Sequence, residues 1–227
     1  MADISKIIDV ARRLNLQNIV HGYVDLEEKK DMSNQDYLYF ILSQECEMRE
    51  QKAYVRREKE SKLPYREFIK SKVNSGIAWQ IDKLEEMQWL DDAQNLIIIG
   101  NCDTGKTSLA STLGRKALEN GEKVSYMTIA RLLEILQRKD RSEKAARAFQ
   151  YISSSSLVII DDMMYTRIPD EDLPRLYHAI TFLNETRSLI IITNRELSTW
   201  ANGAEDEHMV NTLISRLTSG SQIIRLN

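Results

Sequence analysis

The chain has 227 residues, 42% of them apolar, with a formal net charge of −3, which suffices for one mid-sized domain and a modest extension. Its longest apolar runs span four to five residues, far from the roughly 20 a membrane helix needs, and the start Met-Ala-Asp-Ile-Ser-Lys has no apolar stretch of a secretory signal behind it. Two cysteines, Cys46 and Cys102, lack metal-ligand spacing, so a reducing cytoplasm is the expected setting and a membrane partner is not expected.

Up to about residue 90 the pattern is helical. Ile7, Ile8, Ala11 and Leu14 recur at helical steps within Ile4–Leu16. Ser33 is placed to cap a second helix beginning near Gln35, with Tyr37, Ile41 and Met48 on its apolar side. Pro64 marks a break, and a third helix is expected from Trp79 to Trp89. The charge is unevenly spread: nine basic residues against four acidic ones between Arg49 and Lys72 give a local net of +5. Within this run Arg49, Lys52, Arg56, Arg57 and Lys59 recur at short helical steps, which collects much of the charge on one side. Such a face is either solvated surface or a non-specific, salt-sensitive contact to a phosphate backbone.

From Asn95 onward, apolar runs alternate with helical segments, the sign of an α/β domain with a mostly parallel sheet. Five strands are expected, at Leu96–Ile99, Lys123–Met127, Leu157–Ile160, Leu189–Thr193 and Gln222–Leu226. Helices fit between them at Lys106–Asn120, Ala130–Arg138, Ser142–Ile152, Asp170–Thr186 and Val210–Leu217, with Gly121 as a C-terminal stop. The division falls at about residue 90: a helical N-terminal domain over 1–90 and an α/β domain over 91–227.

Directly after the first strand stands Gly100-Asn101-Cys102-Asp103-Thr104-Gly105-Lys106-Thr107, followed by Ser108. This is the P-loop pattern: glycines let backbone amides approach phosphate, and the following helix adds its positive end. Lys106 is expected to reach the β- and γ-phosphates of ATP, and the Thr107 hydroxyl to ligate Mg2+. About fifty residues on, the strand Leu157–Ile160 ends in Asp161-Asp162. Asp161 is the candidate magnesium ligand and Asp162 the group that orients or deprotonates the attacking water. Asn194 closes the fourth strand and is either a γ-phosphate positioning residue or the start of a turn. Arg216 is either solvated or a charge supplied to a neighbouring subunit's nucleotide. Cys102, beside a helix N-terminus, is read as part of the loop and not as a redox centre.

The order of these elements resembles the AAA+ ATPases, and more narrowly the IstB/DnaC group. The likeness is carried by Gly100–Thr107 with Ser108-Leu109-Ala110, Leu113-Gly114-Arg115-Lys116-Ala117, Leu157–Asp162, Ile191-Ile192-Thr193-Asn194 with Trp200, and Ile214-Ser215-Arg216-Leu217. Asp36–Leu63-Pro64 is also similar to IstB, and the basic helix before the core favours that transposase helper over the runner-up, a DnaC-like replicative helicase loader. A small-molecule kinase would need an acceptor pocket and an arginine-rich lid, for which no candidate segment is found; a nucleotide-binding scaffold without turnover is the fourth reading. The resemblance implies a homo-oligomer assembling on double-stranded DNA with nucleotide at its subunit interfaces, and a transposase as partner. It also implies sensor-one duty for Asn194 and arginine-finger duty for Arg216. Three departures stand out: Asp103 and Met164 lie where, or near where, the family often has glycine, and Ser215 where it has Asp. No sensor-two arginine is assigned.

Overall fold

The computed structural model describes residues 3–24, 32–165, 168–202, 204 and 206–226. By compactness the chain forms two units, Met1–Arg56 and Arg57–Asn227. The change from helical to α/β patterning near residue 90 is thus a different boundary from the one along which the chain packs: residues 57–90 belong with the α/β unit.

In the first unit, α1 (Ile4–Arg13) and α2 (Gln17–Val20) precede the first part of α3 (Asn34–Ser61). Ser33 begins α3 as expected, accepting from the Asp36 amide at 3.1 Å while its hydroxyl donates back to the Asp36 carboxylate at 2.6 Å. Ala11, Ile19, Val24 and Ile41 form a small core with Tyr37 packed on it. Beside it Glu45, only 3% exposed, accepts from the amides of Gln17 at 3.1 Å and Asn18 at 2.9 Å. A carboxylate from α3 therefore satisfies the orphan donors at the start of α2.

The second unit continues with the end of α3, then α4 (Ser75–Glu85) and α5 (Gln88–Asp91). The single helix expected over Trp79–Trp89 is broken because Met87 adopts a left-handed φ of 63°. The core alternates β1 (Leu96–Gly100), α6 (Lys106–Glu119), β2 (Val124–Thr128), α7 (Ile129–Arg138), α8 (Glu143–Ser153), β3 (Leu157–Asp161), α9 (Leu173–Thr186), β4 (Ser188–Thr193), α10 (Glu207–Thr218) and β5 (Gln222–Leu226). Gly121, at φ 89°, ends α6 with its own amide on Leu118 O and the Glu122 amide on Ala117 O, a reversal that glycine accepts without strain.

The five strands pair in the order β2-β3-β4-β1-β5, and every pairing is parallel. A parallel sheet has helices on both faces, so its middle strands read as continuous apolar runs; β1, β3 and β4 are buried along their whole length. The order has a functional consequence: β4 lies between β1 and β3, so the chain leaving β1, β4 and β3 emerges at adjacent points on one edge of the sheet.

Candidate functional site

That edge carries the loop between β1 and α6. Gly100 has no alternative there: a Cβ would stand 2.2 Å from the Leu226 carbonyl oxygen of β5. Gly105 takes φ 91° to turn the chain into α6, and Asp103 takes φ 61°, the left-handed geometry that Asp tolerates better than most residues. Thr104 donates to Asn101 O at 3.0 Å, and Lys106 Nζ reaches the same carbonyl at 2.5 Å.

Beyond the loop lies a polar cavity of about 310 Å³ lined by Arg66, Cys102, Asp103, Gly105, Lys106, Thr107, Ser108, Asp161, Asp162 and Asn194. Gly100, Asn101 and Thr104 form the turn behind it. Asp161, 5% exposed, is the hub. Its Oδ2 accepts from the Thr107 hydroxyl at 2.9 Å and from the Tyr126 hydroxyl at 2.8 Å, and its Oδ1 accepts from the Asp162 amide at 2.7 Å. Burial, reinforced by the bond to Asp161, pushes the Tyr126 phenol well above its ordinary value, so it stays a donor.

Asp162 sits at φ 59°, bent away from the strand direction. Burial, followed by the neighbouring Asp161 charge, raises its carboxyl above the usual range, and Lys106 opposes the shift. Lys106 is 7% exposed, and burial pulls its ammonium below the ordinary lysine value against the negative groups around it. Asn194 points its amide at Cys102 Sγ, 3.6 Å away, which sets it across the cavity from the start of the loop. Two residues past Asp162, Met164 is also left-handed, at φ 59°, and buried; this is the backbone reason that glycine suits this stretch.

Arg216 is not among the lining residues. Its Nε donates to the Tyr177 hydroxyl at 3.0 Å and its guanidinium lies 5.5 Å from that ring's centroid, so α9 holds it in place on α10. The basic helix divides into engaged and free charges. Arg49 bonds Glu45 at 3.0 Å and the Asn15 carbonyl at 2.8 Å. Arg57 donates to the Leu118 carbonyl at 3.3 Å. Lys52, Arg56 and Lys59 are exposed and have no ion pair among the described residues.

Sequence reasoning did not pick out Tyr126 or Arg66. Tyr126 carried a weak signal, a polar-tipped residue inside an otherwise mostly buried strand. Arg66 was counted only as one of the nine basic residues between Arg49 and Lys72.

The residues fit a magnesium nucleotide: a hydroxyl and a carboxylate 2.9 Å apart as hard oxygen donors, a nearly buried lysine, and a loop that turns into a helix N-terminus. Residues 10–227 match the IstB-like ATP binding protein family. The chain belongs to that family. A relative named as an ATP-binding protein of an IS21-like insertion sequence, from Bacteroides fragilis, is 31% identical over 97% of this chain and 87% of its own length. The IS21 ATP-binding protein of Pseudomonas aeruginosa is 23% identical over 94% of this chain and 83% of its own. Among solved structures, the DnaC helicase loader matches 76% of this chain and 99% of its own with a TM-score of 0.58 at 16% identity. DnaI matches 72% of this chain and 92% of its own, at TM-score 0.57 and 13% identity. These likenesses show the AAA+ fold, with its five-stranded parallel sheet between helices. No helix among the described residues is long and apolar enough to cross a membrane.

Proposed function

We propose that this chain is a magnesium-dependent ATPase that helps an insertion-sequence transposase, assembling as a homo-oligomer on duplex DNA and recruiting or stimulating the transposase there. The single observation carrying the ATPase part is the Thr107–Asp161 contact at 2.9 Å, which joins the P-loop to the acidic strand end across 54 residues. Thr107 and Asp161 are the residues that would hold magnesium, which would supply charge neutralisation to the phosphates. Lys106 steadies the phosphates, and the loop amides cradle them. Asp162, whose basicity burial and the neighbouring Asp161 charge increase, orients the attacking water and accepts its proton, with Asn194 fixing that water from the β4 side.

Arg216 completes the site of a neighbouring copy, held on the Tyr177 ring until it engages. DNA contact falls to Lys52, Arg56 and Lys59, which lie on one helical stripe with their charges free, more than to Arg49 and Arg57, whose guanidinium groups already bond within the fold. Insertion-sequence relatives support the transposition role. The likeness to a helicase loader is one of fold and does not favour that alternative.

Nucleotide affinity and phosphate release by two variants test the site. Lys106→Ala removes productive ATP binding, whereas Asp162→Asn binds ATP like the parent and turns over about a hundred- to ten-thousandfold more slowly. Normal hydrolysis by both would sink the assignment.

A further inference from the structure

We propose that Arg66 is a nucleotide-contacting residue supplied by the chain's own N-terminal side, its guanidinium holding the terminal phosphate of ATP. The proposal rests on the ATPase reading above and adds to it a residue that no motif contains.

The segment Leu63–Phe68 is strapped along α6, the helix that opens with Lys106. The Leu63 methyls close over Gly114, where a Cβ would stand 3.0 Å from both. The Arg115 guanidinium donates to the Pro64 carbonyl at 3.4 Å and to the Arg66 carbonyl, and lies 5.2 Å from the Tyr65 ring centroid. The Phe68 amide donates to Thr112 Oγ1 at 3.1 Å, and the Phe68 ring packs against Gly105 of the loop itself. The backbone of Arg66 is therefore clamped on both sides by the helix that carries the P-loop.

Its side chain is treated in the opposite way. Arg66 is exposed, makes no side-chain hydrogen bond or ion pair among the described residues, and lines the same cavity as Lys106, Thr107, Asp161 and Asp162. A clamped backbone with an uncommitted guanidinium is the arrangement of a group waiting for an anion. Among the described residues, apart from Arg66, the cavity wall holds three carboxylates (Asp103, Asp161, Asp162) and one cation, Lys106. A polyphosphate added to that wall meets a deficit of positive charge that Arg66 lessens.

Which part of the nucleotide it meets follows from its neighbours. Among the described residues the wall contains no aromatic side chain, so its chemistry is that of phosphate and metal and not of a base. Arg66 shares that wall with Asp161 and Asp162, the carboxylates assigned above to magnesium and to the attacking water. The loop amides and Lys106 serve the phosphates nearer the loop. A planar guanidinium with paired donors suits the oxygens of a terminal phosphate.

The test compares magnesium-ATP and magnesium-ADP affinity by calorimetry, without DNA, for the parent, Arg66→Ala, Arg66→Lys and Lys106→Ala. The expected result is a loss of about ten- to a hundredfold in ATP affinity for Arg66→Ala, with ADP affinity within about twofold of the parent. Arg66→Lys recovers part of the loss, and thermal melts of the Arg66 variants match the parent because the side chain holds nothing in the fold. Unchanged ATP affinity in Arg66→Ala overturns the proposal, as does an equal loss for ATP and ADP, or a loss of duplex DNA affinity with ATP binding intact. If Lys106→Ala binds ATP normally, the nucleotide-site reading fails first; if Lys106→Ala fails to bind and Arg66→Ala does not differ from the parent, only the role of Arg66 falls.

Discussion

Glu45 in the first unit and Asp161 in the second are both nearly buried carboxylates, 3% and 5% exposed, and both accept three hydrogen bonds. Their partners differ in kind. Glu45 faces two backbone amides and the Arg49 guanidinium, a set that neutralises it and closes the site. Asp161 faces two hydroxyls and one amide, bears on a second carboxylate next door, and opens on a cavity whose wall also holds Asp103. A carboxylate matched by charge serves the fold; one matched only by neutral donors keeps capacity for a cation.

The same division runs through the basic helix and gives the largest effect. Arg49 is matched by Glu45, while Lys52 and Arg56 are free. Reversing both free charges in Lys52→Glu/Arg56→Glu is expected to weaken duplex DNA binding about a hundredfold near physiological salt. The slope of log affinity against log salt should become shallower by about 0.9 for each phosphate no longer neutralised. Arg49→Gln should change that slope little. Equal DNA defects in the two proteins would erase the distinction between matched and free charges, and a double variant that binds as the parent does would make the face a solvated one.

Glu45 itself provides the middle-sized effect. Burial pushes its carboxyl up, but the amides of Asn18 and Gln17 together with Arg49 outweigh burial, and the net shift is downward. A lowered value in the folded state means that ionisation stabilises the fold above the unfolded value of about 4.3, and that this stability disappears as pH falls through the lowered value. Glu45→Gln is expected to cost about 1–3 kcal/mol at pH 7, read from hydrogen exchange of the α1 and α2 amides in the full chain. Parent and variant should converge as the pH falls through the lowered value. A difference that persists unchanged in acid would mean that shape, not charge, fixes α2.

How much of this could be read beforehand depended on range along the chain. All five strands and the loop at Gly100–Thr107 were legible, because a buried parallel strand is an apolar run and the P-loop is a local pattern. The break at Met87 was not, since a left-handed methionine has no sequence signature. Nor was the sheet order, which sets β4 between β1 and β3 and so brings Asn194 beside the loop. Which charges are matched was the least legible of all. Arg49 meets the Asn15 carbonyl 34 residues away, and Tyr126 meets Asp161 35 residues away. Composition shows that the charges exist, and only the folded chain shows which ones are already answered.

The smallest effect concerns Asp103, an exposed carboxylate on the cavity wall. Its backbone is left-handed, at φ 61°, a conformation glycine adopts without strain, so an aspartate here carries two separate costs. One is backbone strain. The other is repulsion of phosphate: at ~6 Å and an effective dielectric of ~20, a unit pair costs roughly 3 kcal/mol before magnesium, Lys106 and solvent offset most of it. Asp103→Gly removes both costs, whereas Asp103→Asn keeps the side-chain shape and the turn preference while removing the charge. Both are expected to tighten ATP binding by no more than about tenfold at matched magnesium, with Asn giving most of the gain. A gain from Gly alone would assign the cost to the backbone, and Asp103 would then resemble Glu45 in serving local structure. No gain from either would mean that the carboxylate turns away from the phosphates once nucleotide binds.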